Sequence, residues 1–259
     1  MTPGGGSMLA ALFAAHMTVL RASGLGKNPC WRFTPGCINR PETTVYELMK
    51  RLVDALEGLF TATVLSGGDL SNEDLAKTAN FTLQNVRWKD TLSRPEPKKH
   101  PIEEAYLQAA CAHSGADGSS AHTVAQALMA VTDQLEWRPS SKCSDDGPDV
   151  AILSRNFVIA TIIGDGGPLK SDKVSAGFSL QAPDTYYPPH AHYAEESYWI
   201  IGGDADWRVG RKAWFAVQPG DSIYHESEAR HAMQTNEQPL LTVWLWTSHL
   251  DSEVVIVRG

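Results

Sequence analysis

The chain has 259 residues, of which 42% are hydrophobic and 20% are charged. This balance is typical of a soluble chain that can bury a core, and it excludes disorder over most of the length. Asp and Glu number 30 against 22 Lys and Arg, which gives a formal net charge of −8. Because there is no basic field for phosphates, we expect neither a nucleic acid nor a membrane as a partner.

The N-terminal residues bear on the predicted compartment. Residues 1–7 read as a linker or tag, and Met8 is a candidate start. The apolar stretch over 8–20 is too short to span a bilayer and lacks the positive segment that opens a secretory signal. Its Ala and Leu content nevertheless leaves an export signal open. We therefore predict a cytoplasmic protein, with the periplasm as the alternative.

Helical periodicity marks the first part of the chain, over 8–138. In one run, leucines recur every three or four residues and so share one helix face. They are Leu48, Leu52, Leu56 and Leu59. The predicted helices cover 47–60, 71 towards 88, 102–112 and 121–135. We therefore predict a helical N-terminal region.

After Pro139 the hydrophobic period changes to two, which is typical of strands. The β-rich runs cover 150–163, 175–181, 197–201, 206–209, 213–217, 222–224, 232–235, 240–246 and 254–257. Turn residues such as Gly202 and Gly203 separate them. Many short strands at regular intervals favour an antiparallel β-barrel or jelly roll over 139–259. The predicted fold class is α+β.

The segment over 186–198 concentrates residues that can carry chemistry. Alternate side chains of a strand share a face, so its even-numbered polar residues project together if one strand runs through the whole segment. Those residues are His190, His192, Glu196 and Tyr198. We expect them to converge inside the barrel. A polar surface hairpin is the alternative that the flanking prolines allow.

A further imidazole is available downstream, from either His225 or His231. Two or three imidazoles with one carboxylate suit a divalent transition metal in a catalytic role. Sites of this kind accept Zn, Mn, Fe, Co and Ni with overlapping affinities, and we favour Zn or Mn.

The spacing His190-x-His192-x3-Glu196-x6-Gly203 resembles the first motif of the cupin superfamily, and Pro219-Gly220 with a later His resembles the second. The resemblance covers roughly 150–259 and implies a metal-binding barrel. Two departures are present. Asp184 stands where cupins usually have Gly, and the second motif is stretched, so that either later His could be the last ligand. We favour His231 because it begins a β run, whereas we expect His225 in the loop before it.

A narrower resemblance is to the cupin-type dimethylsulfoniopropionate (DMSP) lyases. It rests on the residues around the first motif, from Tyr187 to Tyr198, on the His231-Ala-Met-x-Thr stretch and on Leu241-Thr-Val-Trp-Leu-Trp246. This family splits DMSP into dimethyl sulfide and acrylate. The resemblance implies a metal on the positions that match its ligands, and Tyr198 as the catalytic base. The implied ligands are His190, His192, Glu196 and His231.

The residue types make sense for this chemistry. The proton next to the substrate carboxylate is weakly acidic, and a divalent metal on that carboxylate stabilises the charge that develops. Free tyrosine, with a pKa near 10, is a poor base, but a nearby dication lowers that pKa.

The other end of this small zwitterionic substrate is a sulfonium, which aromatic faces attract. The aromatic candidates are Tyr187, Tyr193, Tyr224, Trp207, Trp244 and Trp246, each also explicable as barrel core. We expect substrate contacts from Tyr187, Tyr224, Trp244 and Trp246, and first from Tyr187 and Trp246.

Two other functions fit the same motif. One is another metal-dependent cupin enzyme, such as an iron-dependent dioxygenase, which needs open metal positions for oxygen but no tyrosine base. The other is a non-catalytic cupin that binds a small ligand or stores metal. A homodimer is plausible by analogy with cupins alone.

Overall fold

The described residues of this computed structural model, which are 43–66, 73–140, 143 and 147–258, form five α-helices and ten β-strands. The helices are α1 (Val45–Ser66), α2 (Glu73–Asn85), α3 (Pro101–Ala112), α4 (Ser120–Met129) and α5 (Pro148–Asn156). The predicted linker over 1–7 and the apolar stretch over 8–20 lie outside the described residues. Within the described part, no helix has both the length and the hydrophobicity to cross a bilayer.

The leucine face predicted for α1 is the buried face. Leu52 and Leu56 are fully buried, and Leu59 is nearly so. The helix begins after a reciprocal cap, in which the Thr44 hydroxyl accepts from the backbone N–H of Glu47 and the Glu47 carboxylate accepts from the backbone N–H of Thr44. The helix predicted over 47–60 is therefore confirmed, and so are those of α2 and α3.

The helix predicted over 121–135 ends early. α4 stops at Met129, and a 3₁₀ turn over Thr132–Gln134 follows. Val131, with a φ of −137°, has already left the helical conformation. The turn buries Trp137 completely, and its indole N–H donates to the Thr132 hydroxyl at 2.9 Å. Tertiary packing of one aromatic ring therefore overrides local helix propensity here.

The strands build two five-stranded sheets in which every ladder is antiparallel. The strands are β1 (Phe157–Ile163), β2 (Ser175–Gln181), β3 (Tyr186–Ala191), β4 (Glu196–Gly202), β5 (Ala205–Val209), β6 (Phe215–Val217), β7 (Ser222–His225), β8 (His231–Thr235), β9 (Leu240–Trp246) and β10 (Val255–Ile256). The first sheet has the order β1-β2-β9-β4-β7, and the second has the order β10-β3-β8-β5-β6. Ile200 of the first sheet and Met233 of the second share one buried cluster, so the sheets pack face to face as a jelly roll. The predicted α+β class with an antiparallel barrel is confirmed.

The β run predicted over 150–163 is wrong in its first half, because α5 occupies it. Pro148 opens this helix, Asp149 lies in its first turn and Arg155 in its last, which suits the helix dipole. Val150 and Leu153, three residues apart, form its buried face. The strand itself starts at Phe157.

Helices α1 to α4 cover the outer face of the first sheet, whereas α5 contacts β3 of the second sheet and β1 of the first. Phe60 of α1 meets Trp199 of β4 edge to face at 5.0 Å, and the Trp199 indole donates to the Thr63 hydroxyl at 2.9 Å. Residues 42–259 cluster as one compact unit. Since helices and sheet share one core, the domain boundary proposed at 138/139 stays a prediction.

Candidate metal and substrate site

The segment over 186–198 does not form one strand, and the prediction of a single strand is wrong. It contains β3, which lies in the second sheet, and the start of β4, which lies in the first. His192 falls in the connection between them. The predicted side chains nevertheless converge, because the two sheets face each other and the chain folds back between them.

Cross-strand pairing brings the downstream histidines to the same place. His190 on β3 lies opposite His231 on β8, and Glu196 on β4 lies opposite His225 on β7. These four side chains and His192 are at most 6% exposed. Two imidazoles and a carboxylate from the motif thus meet two further imidazoles inside the barrel.

Three of the imidazoles are held in the same way, each with its Nδ1 against a backbone carbonyl oxygen. The contacts are His190 to Pro188 at 2.9 Å, His192 to Ala194 at 2.8 Å and His231 to Ala229 at 2.8 Å. Since a carbonyl oxygen only accepts, Nδ1 donates in each ring and leaves Nε2 as the nitrogen that a cation could reach. This is the orientation in which a metal-binding histidine presents Nε2 to its metal.

The ligand atoms of His192, Glu196 and His231 lie within 4.8 Å of one another. His192 Nε2 is 3.0 Å and His231 Nε2 is 3.3 Å from the same oxygen, Glu196 Oε2. Among the described residues, His231 Nε2 is buried without a hydrogen-bond partner. A bound cation would partner His231 Nε2 and replace the proton that His192 Nε2 shares with the Glu196 carboxylate, so the residues present fit a divalent transition metal.

His190 lies at the edge of this three-residue group. Its ring centroid is 4.0 Å from that of His231 but 6.3 Å from that of His192. Tyr187 stacks on the His190 ring at 3.9 Å. Its tautomer suits a ligand, and its role as one stays a prediction.

The Glu196 carboxylate is ionised and oriented. Burial opposes ionisation, but the neighbouring imidazoles, led by His192, hold the pKa of Glu196 well below its ordinary value. The Trp246 indole N–H donates to Oε1 at 2.7 Å. Oε2 is therefore the oxygen that faces the imidazoles.

His225 was expected in a loop, and this is wrong: it is the last residue of β7. Its Nε2 accepts a hydrogen bond from the Trp207 indole at 3.2 Å. Burial, assisted by His231, lowers the pKa of His225 to about 3. Extending the predicted strand over 222–224 by one residue, with its alternation of faces, would have placed the His225 side chain on the inner face of the barrel.

A cavity of about 570 Å³, within the usual range of ligand pockets, reaches this cluster. Its lining includes Tyr187, His190, His192, Glu196, Tyr198, Trp244 and Trp246. Burial and the Glu196 charge raise the pKa of Tyr198 well above its ordinary value. The structure thus brings Tyr198 and three of the four expected substrate-contacting aromatics to one cavity.

Tyr224 is the exception, and its expected substrate contact is corrected here. It lies on the opposite face of β7 from His225, since neighbouring residues of a strand alternate. Its hydroxyl donates to Glu195 at 2.8 Å. Of the other aromatic candidates, Tyr193 is 58% exposed and Trp207 is buried behind His225.

The sequence did not single out the polar lining of the same cavity. It includes Arg138, Ser140, Asp165 and Asp172. These residues come from two segments, 138–140 and 165–172, that meet only in the fold, so no single local motif could have signalled them.

A family model for dimethylsulfoniopropionate lyase matches residues 78–242. Dimethylsulfoniopropionate lyase DddQ of Ruegeria pomeroyi is 31% identical over 133 residues, which are 51% of this chain and 65% of the relative. Putative dimethylsulfoniopropionate lyase DddL of Cereibacter sphaeroides is 34% identical over 126 residues, which are 48% of this chain and 50% of the relative. The chain therefore covers less than two thirds of either protein.

Solved structures are similar over more of the chain. The DMSP lyase DddQ from Ruegeria pomeroyi superposes with a TM-score of 0.58 at 25% identity, covering 80% of this chain and 96% of that one. A chain from the crystal structures of the DMSP lyases RdDddP and RnDddQII gives a TM-score of 0.63 at 18% identity, covering 83% and 100%. The second likeness concerns the fold alone.

Proposed function

The chain belongs to the dimethylsulfoniopropionate lyase family, and we propose that it cleaves DMSP into dimethyl sulfide and acrylate in a metal-dependent β-elimination. One observation carries the proposal. A buried group of imidazole nitrogens around an ionised carboxylate lies at the same cavity as a tyrosine side chain and two indole rings. These groups match the needs of the reaction at both ends of the substrate.

The proposed metal ligands are His190, His192, Glu196 and His231. A divalent metal bound there would supply positive charge that stabilises the negative charge developing next to the substrate carboxylate and that favours the phenolate of Tyr198. Glu196 is held ionised for this purpose by its imidazole neighbours.

Tyr198 is the proposed base. It follows Glu196 by two positions on β4, so both side chains point into the barrel. Its oxygen takes the proton from the carbon next to the substrate carboxylate. The electron pair of the broken C–H bond forms the carbon–carbon double bond of acrylate, and the pair of the C–S bond leaves with sulfur as dimethyl sulfide.

The sulfonium end has no hydrogen-bond donor and is proposed to lie among aromatic rings. Trp244 and Trp246 share one face of β9, with ring centroids 6.3 Å apart. Tyr187 lines the same cavity and is held by its stack on His190. Exclusion of water by these rings also strengthens the electrostatic interactions in the site.

The test is a headspace assay for dimethyl sulfide after DMSP is added to protein supplied with Zn, Mn, Fe, Co or Ni in turn. We expect dimethyl sulfide and acrylate in equal amounts with at least one metal. Tyr198→Phe should lose nearly all turnover while it keeps the metal, whereas Tyr46→Phe, a change on the exposed part of α1, should match the wild type.

Absence of gas with all five metals would sink the proposal. Oxygen consumption that survives Tyr198→Phe would point instead to dioxygenase chemistry, which has no need of a tyrosine base.

A further inference from the structure

His225 is held in the opposite way from the other three imidazoles. The Trp207 indole N–H donates to His225 Nε2 at 3.2 Å. An indole nitrogen only donates, so Nε2 carries the lone pair and the proton of the neutral ring lies on Nδ1. Neither nitrogen then offers a lone pair to a cation, because one is engaged with Trp207 and the other bears hydrogen.

The protonated edge of His225 faces a proposed metal ligand. Nδ1 lies 3.9 Å from Glu196 Oε2 and has no hydrogen-bond partner among the described residues. This distance is too long for a hydrogen bond, so the N–H acts on the carboxylate as a dipole. The pairing of Glu196 with His225 across β4 and β7 fixes this approach through the backbone.

The face of the same ring supports a second proposed ligand. His225 stacks on His231 with centroids 3.9 Å apart and an interplanar angle of 14°. Its other neighbour is Trp207, whose ring is nearly parallel at 16°. His225 is 1% exposed, so both contacts are made in the interior of the barrel.

We infer that His225 is not a metal ligand but a positioning residue, locked by Trp207, which holds Glu196 and His231 in the arrangement that binds a divalent cation. Of the two histidines that the sequence left open as last ligand, His231 is therefore the ligand and His225 its support. The inference rests on the metal site of the proposed function, and not on the identity of the substrate.

The test measures Co²⁺ binding to the full chain by competition with a chelator, together with the visible absorption of the bound ion. His225→Phe keeps a flat ring against His231 but removes the N–H. We expect it to weaken Co²⁺ binding by about 10- to 100-fold, as loss of a ligand-orienting partner does elsewhere, with the absorption bands unmoved. His225→Asn restores a donor at the position of Nδ1 and should bind Co²⁺ more tightly than His225→Phe.

Trp207→Phe gives an independent measurement that leaves His225 in place. It removes the hydrogen bond that fixes the tautomer, and we expect weaker Co²⁺ binding for that reason. If His225→Phe does not fold, Trp207→Phe still tests whether His225 supports Co²⁺ binding.

The outcomes separate the two proposals. If the wild type binds no Co²⁺, the metal site and this inference fall together. If it binds and the folded His225→Phe and Trp207→Phe proteins bind equally well, only this inference falls. A shift of the bands in His225→Phe that reports loss of a nitrogen ligand overturns it as well.

Discussion

Glu196 is a carboxylate buried to 3% exposure, and the donors around it decide what it can do. Its two oxygens differ, since Oε1 accepts from the Trp246 indole while Oε2 faces three imidazoles. Such a group is costly to bury unless every oxygen has a partner. At this scale, hydrogen bonds to one atom of each side chain determine which of its other atoms faces a cation.

We expect Trp246→Phe to weaken metal binding by about 10- to 100-fold, because the buried Oε1 loses a charge-assisted hydrogen bond of roughly 1.5–3 kcal/mol. Calorimetric titration with Co²⁺ or Zn²⁺ measures the change. Trp244→Phe is the matched control, because this indole lies on the same strand but donates to the carbonyl oxygen of Phe178 at 3.2 Å. Equal losses in the two variants would contradict a specific role for the Trp246 hydrogen bond.

At the scale of elements, β4 carries the site on one face and packs against the helices on the other. Gly202, at its end, lies under the backbone of α3, where an added Cβ would stand against the Ala110 carbonyl oxygen. We expect Gly202→Ala to lower the free energy of unfolding by about 2 kcal/mol or more, since sheet and helix must move apart. Chemical denaturation measures it.

Gly58→Ala is the control for that change, because nothing lies within 4 Å of its added Cβ. In the middle of α1 the same substitution should stabilise the protein by about 0.5–1 kcal/mol. A Gly202→Ala protein as stable as the wild type would show that α3 does not press on β4.

Glu103 of α3 gives a pH-dependent prediction. It is 6% exposed, and burial raises its pKa above the ordinary 4.5 more than the hydrogen bond from Thr132 lowers it. The stability that this group contributes is fully present below its unfolded pKa, and it is lost as pH rises through the higher folded pKa. Glu103→Gln should therefore be more stable than the wild type by roughly 1 kcal/mol at pH 7, with the gap closing near pH 4.5.

Thermal melts between pH 4.5 and 7 test this difference. Glu104→Gln, which removes an exposed neighbouring charge on the same helix, should leave the difference from the wild type small throughout. A gap for Glu103→Gln that is constant with pH would rule out the buried charge as its cause.

The hydrophobic pattern of the sequence predicted the helices and strands well where tertiary packing favours the same conformation. β2 and β9 match the predicted 175–181 and 240–246 residue for residue, because both are short runs that the fold buries on both faces. α5 was missed because its short apolar run can be buried in either conformation. The alternation of side chains along a strand predicted that Tyr198 lies on the inner face. It could not predict the hydrogen bond from Trp207 to His225, because these residues lie in different sheets.

At the scale of the whole molecule, residues 42–259 form one compact unit, and the buried group of His192, Glu196 and His231 that could hold a metal ion lies within it. A cation bound only by the folded state adds RT ln(1 + [L]/Kd), about 2.7 kcal/mol at a hundredfold excess over Kd. For a unit of this size we expect the melting temperature to rise by roughly 5 to 10 °C with saturating Co²⁺ or Zn²⁺, and chelator to reverse it.

The same melts distinguish the central cluster from adventitious sites. His231→Ala removes a proposed ligand whose Nε2 has no hydrogen-bond partner in the part of the chain that the structure describes, so the melting temperature of this variant should no longer respond to metal. His249→Ala, a change in an exposed turn, should keep the full response. A response that survives His231→Ala but disappears in His249→Ala would show that the stabilising cation binds outside the barrel. The central cluster is expected to couple metal binding to folding because the unfolded chain cannot assemble it.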